Sequence, residues 1–282
     1  MKIGIIGNGF VGNAINQNFK THYETLVYDV DPSRSTTDSI ASLAIDTDLI
    51  FVAVPTPMST SGVCDLSIVY SVLDQLSEHY NENIVVLKST IPPGTCERIK
   101  QKYNNFRLVF SPEFLTERNA VEDFNSCNRV IFGGDKVDTE KCVKIFKDKF
   151  PEKTYLTTDW KSAEMVKYFL NTFLAAKVSF ANEMYQLCEA LNISYDSVLD
   201  LVVHDPRLTK SHFLVPGPDG QFGFGGVCFP KDINALINVC RQNNVDSTML
   251  LAAWNKNLIV REECEWLELE GRAVSKKSDK KA

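Results

Sequence analysis

The sequence predicts an α/β fold: a parallel sheet in the N-terminal half, followed by an α-helical domain. Three observations carry this. Up to about residue 158, short apolar runs alternate with stretches of helical periodicity, the pattern of repeated βαβ units. The first apolar run ends in Gly7, Gly9 and Gly12, the G-x-G-x-x-G spacing of a Rossmann-type first turn. From Trp160 a long segment without Pro or Gly repeats apolar residues at helical spacing, which predicts one long helix.

The strands are expected at KIGIIG (2–7), TLVYDVD (25–31), DLIFVAVP (48–55), NIVVLKST (83–90), RLVFSP (107–112) and RVIFGG (129–134). Each is an apolar, largely β-branched or aromatic run of strand length. Helices are expected between them at 11–19, 66–80, 95–104 and 138–149, and Asp31 to Asp48 leaves room for one small helix. After the long helix, further helices are expected at roughly 195–203, 232–243 and 247–268. VPGPDGQFGFGG (215–226) is a Gly/Pro-rich loop between them. The expected division is 1–159 for a nucleotide-binding domain and 160–270 for a helical domain. Residues 271–282, ending in SKKSDKKA, are expected to be a disordered charged tail.

A chain of 282 residues has room for two domains. Its 30 basic and 36 acidic residues leave a net charge of −6, which gives no general attraction to nucleic acid or to a membrane surface. No apolar run approaches the roughly 20 residues that span a bilayer, and glycines interrupt the N-terminal apolar stretch where a signal peptide would need continuity. The eight cysteines are scattered without a C-x-x-C pair or a Cys/His cluster at zinc spacing. That points to free thiols in a reducing cytosol, seven of them in packing or surface roles.

In the glycine motif, the first glycine permits the tight turn, the second admits a pyrophosphate and the third lets helix and strand pack closely. Asp29 closes the second strand about 20 residues on, where a carboxylate binds ribose hydroxyls. Asp29 would repel a 2′-phosphate and so favours NAD over NADP, although Arg34 just beyond it could accept such a phosphate.

Four segments carry chemistry. Thr90 ends a strand before a proline turn, at the sheet edge where α/β ligands bind; its hydroxyl could equally satisfy turn amides. Glu113 and Glu117 would share a face if their turn is helical, either as a site or as a solvated acidic face. Lys167 and Asn171, four apart on the long helix, would cradle an oxyanion, unless the lysine snorkels beside a surface asparagine. In GFGGVCFPKD (223–232), Cys228 precedes Lys231-Asp232 where a helix is expected to begin, and Gly225-Gly226 leave it accessible. A cation and a helix N-terminus favour the thiolate, so Cys228 reads as a nucleophile.

These residues resemble the UDP-glucose/GDP-mannose dehydrogenase family. The resemblance is carried, in family order, by GNGFVG, VAVPTP (52–57), KSTIPPG, SPEFLTE, the pair in EMVKYFLNTF, Asp205-Pro-Arg207 and GFGGVCFPKD, and covers most of residues 1–265. It implies NAD-dependent, two-step oxidation of UDP-glucose to UDP-glucuronate through a thiohemiacetal and a thioester on Cys228. It further implies that Val11, Asp29, Arg34, Thr56 and Thr90 touch NAD beside the glycines, with Glu117 and Lys231 reaching it from the catalytic side. Glu113, Phe114, Leu115, Thr116, Glu117, Lys167, Asn171, Arg207 and Gly225 would bind the sugar nucleotide. Lys167 and Asn171 would stabilise the oxyanion, Asp232 and Thr90 would orient a water, and Glu117 would be the base for hydrolysis. A homodimer through the helical domain is implied, with Arg207 reaching the neighbouring site.

The family usually continues into a further UDP-binding domain, which this sequence is expected to lack. The loop LVPGPDGQF (214–222) is then expected to supply uridine contacts through its backbone. The rival expectations are the same chemistry on GDP-mannose or a UDP-N-acetylhexosamine, and a non-catalytic NAD-binding dimerising module.

Overall fold

Seven strands form one sheet in the order β2-β1-β3-β4-β5-β6-β7. The structure, a computed structural model, describes residues 1–276. Its first five strands are β1 (Lys2–Ile6), β2 (Glu24–Tyr28), β3 (Leu49–Val52), β4 (Ile84–Leu87) and β5 (Arg107–Phe110), all paired in parallel. β6 (Arg129–Gly134) runs antiparallel to β5, and β7 (Thr154–Thr158) pairs in parallel with β6. The sheet is therefore parallel as expected, apart from the antiparallel pairing of β5 with β6. β7 was not foreseen because TYLTT is a polar, largely exposed edge strand with no apolar run to mark it.

Successive strand residues face opposite sides, and each side has its own core. Ile6, Ile50, Val52, Val85 and Leu87 pack with α2 (Ile40–Asp46), α3 (Ser67–Glu78) and α4 (Thr95–Lys102). Ile3, Ile5, Phe51, Val86 and Val109 pack with α1 (Phe10–Phe19), α5 (Ala120–Ser126) and α6 (Lys136–Lys149). α2 is the small helix expected between Asp31 and Asp48, whereas the short α5 was not expected.

The chain divides into two compact units. The first comprises Met1–Thr56 and Asp65–Lys167; the second comprises Pro57–Cys64 and the chain from Tyr168 onward. The expected boundary at 159/160 thus moves into α7 (Trp160–Ala190). The reason is local: Trp160 and Ala163 pack into the sheet's core, and the Glu164 carboxylate accepts the Gly94 and Cys96 amides that open α4.

In the second unit, α7 continues and is followed by α8 (Tyr195–Val202), α9 (Cys228–Gln242) and α10 (Thr248–Val260). The helix expected over 247–268 ends at Val260, and a 3-10 turn covers Glu265–Glu268. Met58 and Trp266 share a small core with Ala273. Met58 exchanges backbone hydrogen bonds with Ala273 and Ser275, so residues 271–275 are packed rather than the start of a disordered tail. Residues 277–282 of that expected tail lie outside the described residues. Among the described residues no helix is long and apolar enough to cross a membrane, and no cluster of His, Cys, Asp or Glu could hold a metal ion.

Candidate active site

The glycine turn has the geometry of a dinucleotide cradle. Gly7 has φ +89°, and a Cβ there would meet Ala53 O at 2.6 Å. A Cβ on Gly12 would meet Gly7 O at 1.8 Å, so the turn demands glycine there too. At Gly9 a Cβ would meet nothing within 4 Å. Packing does not require that glycine, and the open space is where a pyrophosphate would approach the start of α1. The Asn8 Oδ1 beside it is buried without a hydrogen-bond partner. Both observations fit a bound dinucleotide.

Asp29 follows β2, and its carboxylate accepts the Asn8 amide at 2.6 Å and the Asp31 amide at 2.9 Å. It is thus tied to the glycine turn. Arg34 is exposed and paired with Asp31 at 3.2 Å. Val11, the second residue of α1, packs partly into the core below. Thr56 Oγ1 donates to Thr90 O at 2.7 Å, tying together the segments that leave β3 and β4. Thr90 itself is buried.

Glu113 and Glu117 do not share a helical face. Residues 111–116 form no helix, and Glu117 opens a 3-10 turn, Glu117–Asn119, in an exposed position. Pro112 disfavours helix at Ser111, and the i,i+4 spacing therefore carries no contact. Glu113 is buried instead, and its carboxylate accepts Lys167 Nζ at 2.9 Å and the Leu115 amide at 2.8 Å. Lys167 also donates to Glu113 O at 2.7 Å. Burial opposes the Glu113 charge, but Lys167, the Leu115 amide and Lys88 offset it and hold the carboxyl below its ordinary range. With 3% of its surface exposed, Lys167 does not snorkel. Its ammonium lies 5.7 Å from the Phe114 ring, and the Thr116 amide is anchored on Asp123.

In the second unit Cys228 is the first residue of α9, earlier than the expected start at 232. It is half-buried, unpaired by any disulfide, and preceded by a Val227 N-cap that makes no side-chain cap. The first-turn amides of α9 thus lack a side-chain acceptor at the cap, which favours negative charge on a thiol placed there. One turn on, the buried Lys231 and Asp232 form an ion pair, and Asn171 Nδ2 donates to Asp232 at 2.6 Å. Burial alone would lower the Lys231 ammonium. Asp232, with the Cys228 and Cys64 sulfurs behind it, outweighs that and holds it above the ordinary lysine range. Asn171, Lys231, Asp232 and Cys228 thus belong to one network.

The loop before Cys228 is held from several sides. The Gly223 amide donates to Asn182 at 3.1 Å, the Phe224 amide to Asn257 at 2.6 Å and the Gly226 amide to Glu265 at 2.8 Å. Arg261, itself buried, joins Asp219 to Glu265. Gly225 is glycine for packing rather than access, since its Cβ would meet Glu265 Oε1 at 2.0 Å; Gly226, at φ +70°, faces open space. The Gly217, Gly220 and Gln221 amides also bond within the loop. Those three amides are thus already engaged within the loop. Arg207 is exposed and folded back on Asp205 in a two-point pair.

Sequence reasoning missed Asn182, Asn257, Arg261 and Glu265, which no motif marks, and it missed Lys88. Burial lowers the Lys88 ammonium to about 8, against the effect of nearby Glu113. The unfolded chain keeps the ordinary value of 10.5 and so binds more protons between the two values, which means stability rises as pH climbs from 8. Relative to Lys88→Met, the wild type should gain about 1.5 kcal/mol over the first ~1.5 pH units above 8, read by urea unfolding. A pH-independent difference would contradict a buried, protonated Lys88 at neutral pH.

A groove of about 1040 Å³ lies at the opposite, amino end of the strands, lined by Asp48, Asn83, Arg107 and Lys144 among others. It contains none of the residues above and is not the site.

Comparison with known proteins places the fold within one family. Residues 33–150 match the NAD binding domain of the UDP-glucose/GDP-mannose dehydrogenase family, and residues 161–258 match its central domain. A UDP-glucose 6-dehydrogenase from Rickettsia bellii is 39% identical over 219 residues, covering 75% of this chain and 49% of the relative. One from Pseudomonas aeruginosa is 36% identical over 242 residues, covering 81% and 52%. The solved structure of a UDP-glucose dehydrogenase from Pyrobaculum islandicum superposes with a TM-score of 0.82 at 27% identity, over 92% of this chain and 68% of that one. The chain spans about half the length of the curated relatives it matches.

Proposed function

The chain belongs to the UDP-glucose/GDP-mannose dehydrogenase family, and on that premise we propose that it oxidises UDP-glucose to UDP-glucuronate in two NAD-dependent steps through Cys228. The observation that carries the proposal is Cys228 at the head of α9, one turn from the buried Asn171–Asp232–Lys231 network. The names of its relatives favour UDP-glucose over other sugar nucleotides.

Bound NAD would accept a hydride from the sugar in each oxidation. The glycine turn and Asp29 hold the dinucleotide, with Val11, Arg34, Thr56, Thr90, Glu117 and Lys231 as its further contacts. In the first oxidation the primary alcohol at C6 loses a hydride and a proton and becomes an aldehyde. The Cys228 thiolate then attacks the carbonyl carbon, forming a C–S bond and placing negative charge on oxygen. Lys167 and Asn171, one helical turn apart on α7, donate to that oxygen. Asn171 is suited to the task because Asp232 already fixes its amide. Loss of a second hydride from the thiohemiacetal carbon leaves a thioester. Asp232 and Thr90 orient a water, Glu117 takes its proton, and attack on the acyl carbon expels the thiolate and yields the carboxylate. The sulfur holds the aldehyde covalently between the oxidations. Glu113 to Glu117, Arg207 and Gly225 belong to the sugar-nucleotide contacts in the same proposal. A reducing, cytosolic setting follows, since Cys228 works only as a free thiol.

The chain would act as a homodimer through its helical unit. Phe169, Phe173, Phe180 and Leu187 are each half or more exposed. At 100° per residue they fall within an arc of about 40°, running about 27 Å along α7. An unpartnered apolar stripe of that length on a helix suits a second copy of itself. Phe173→Glu should convert a dimer to monomers in size-exclusion chromatography with light scattering; an unchanged mass would place the dimer elsewhere. The activity is tested by NADH absorbance with a panel of sugar nucleotides. Turnover with UDP-glucose above the others is expected, and no NADH with any of them at high protein concentration would reject the proposal.

A further inference from the structure

We propose that Lys88 is a positioning residue for Lys167, acting through the Ser111–Leu115 segment that both ammonium groups grip. This rests on the reading of Lys167 as an oxyanion donor. Lys88 follows β4, and its Nζ donates to Ser111 Oγ at 3.2 Å and to Pro112 O at 3.3 Å. Lys167, arriving from α7, takes the next carbonyl, Glu113 O, at 2.7 Å and the Glu113 carboxylate at 2.9 Å. Two cations therefore hold adjacent carbonyls of one segment, and the Glu113 carboxylate closes the arrangement on the Leu115 amide. Ser111, Glu113, Lys88 and Lys167 are all buried.

The Lys167–Glu113 pair alone is charge-balanced. Lys88 adds a second buried cation whose direct partners are a hydroxyl and a carbonyl. Beside it lies a cavity of about 30 Å³, lined by Glu113, Cys127, Arg129, Lys153, Phe124 and Phe146 among others. The charged or titratable groups around Lys88 are thus Glu113, Lys167, Cys127 and Lys153, with Arg129 on the cavity wall. Burying an ammonium on these terms is costly, and groups kept at such a cost concentrate at functional sites. Its effect here is to share Glu113 between two cations and fix the strip of backbone from which Lys167 takes its position.

The test uses the full-length protein. Lysine-reactive labelling at pH 7.5, read by peptide mass spectrometry, reports the protection of Lys167. Loss of one charged hydrogen-bond set should raise its labelling roughly tenfold in Lys88→Met, and Lys88→Arg, which keeps the charge, should restore slow labelling. In turnover, Lys88→Met should lower kcat by about 10- to 100-fold, as misplacement of a positioned group does, with KM for NAD unchanged. Should Lys88→Met not fold, Ser111→Ala removes one Lys88 partner without altering charge, and faster Lys167 labelling is expected there too. Lys167 labelling unchanged in the folded variants overturns the proposal. If the wild type makes no NADH from any sugar nucleotide, the functional reading fails, while the labelling ratio still decides the role of Lys88.

Discussion

Cys228→Ser is expected to stop UDP-glucuronate formation, with overall turnover falling by about 10³-fold or more, as when a covalent nucleophile is removed. The substitution is nearly isosteric, and serine is well tolerated at a helix start, so α9 and its ion pair should remain intact. Circular dichroism and NAD affinity should therefore match the wild type. Glucuronate release at more than a few per cent of the wild-type rate, on the scale of that expected loss, would remove the thioester from the mechanism.

The second large effect is expected at Asp232→Asn. Asp232 is 1% exposed and accepts both Lys231 Nζ and Asn171 Nδ2. Replacing it leaves a buried ammonium without its counter-ion, which costs about 3–5 kcal/mol, and sets an amide donor against the Asn171 donor. Urea unfolding should register that loss, and kcat should fall with it because Asn171 loses its fixed orientation. Adding Lys231→Met to Asp232→Asn should recover much of the stability but not the activity. A loss below about 1 kcal/mol in the single variant, the range of exposed pairs, would show that the pair is not buried as described.

These effects concern residues whose roles were unequally legible in the sequence. The six strands that could be read are apolar runs, because strands buried on both faces leave that mark. β7 leaves none, since its threonines face outward at the sheet edge. Cys228 was legible from its setting of glycines, Pro230 and Lys231-Asp232. What holds that setting was not, because Asn182 and Asn257 are single polar residues on helices, and Arg261 sits just past the end of α10, all distant from it in sequence. Glu113 and Glu117 show the limit of spacing arguments: four residues apart means adjacency only in a helix, and the chain from Pro112 to Thr116 is not helical. Lys88 was hidden by composition, since a lysine ending a strand reads as surface until its burial is known. The attachment of Pro57–Cys64 to the second unit rests on Met58 bonding with Ala273 and on Asn238 donating to Ser61 O, tertiary contacts that no local pattern encodes.

The measurement that bears most directly on the double oxidation is the ratio of NADH to UDP-glucuronate formed from UDP-glucose, followed from the first turnovers. Two NADH per UDP-glucuronate, with no free aldehyde at any time, is the result expected if Cys228 holds the intermediate. One NADH per substrate consumed, with aldehyde accumulating in solution, would contradict it.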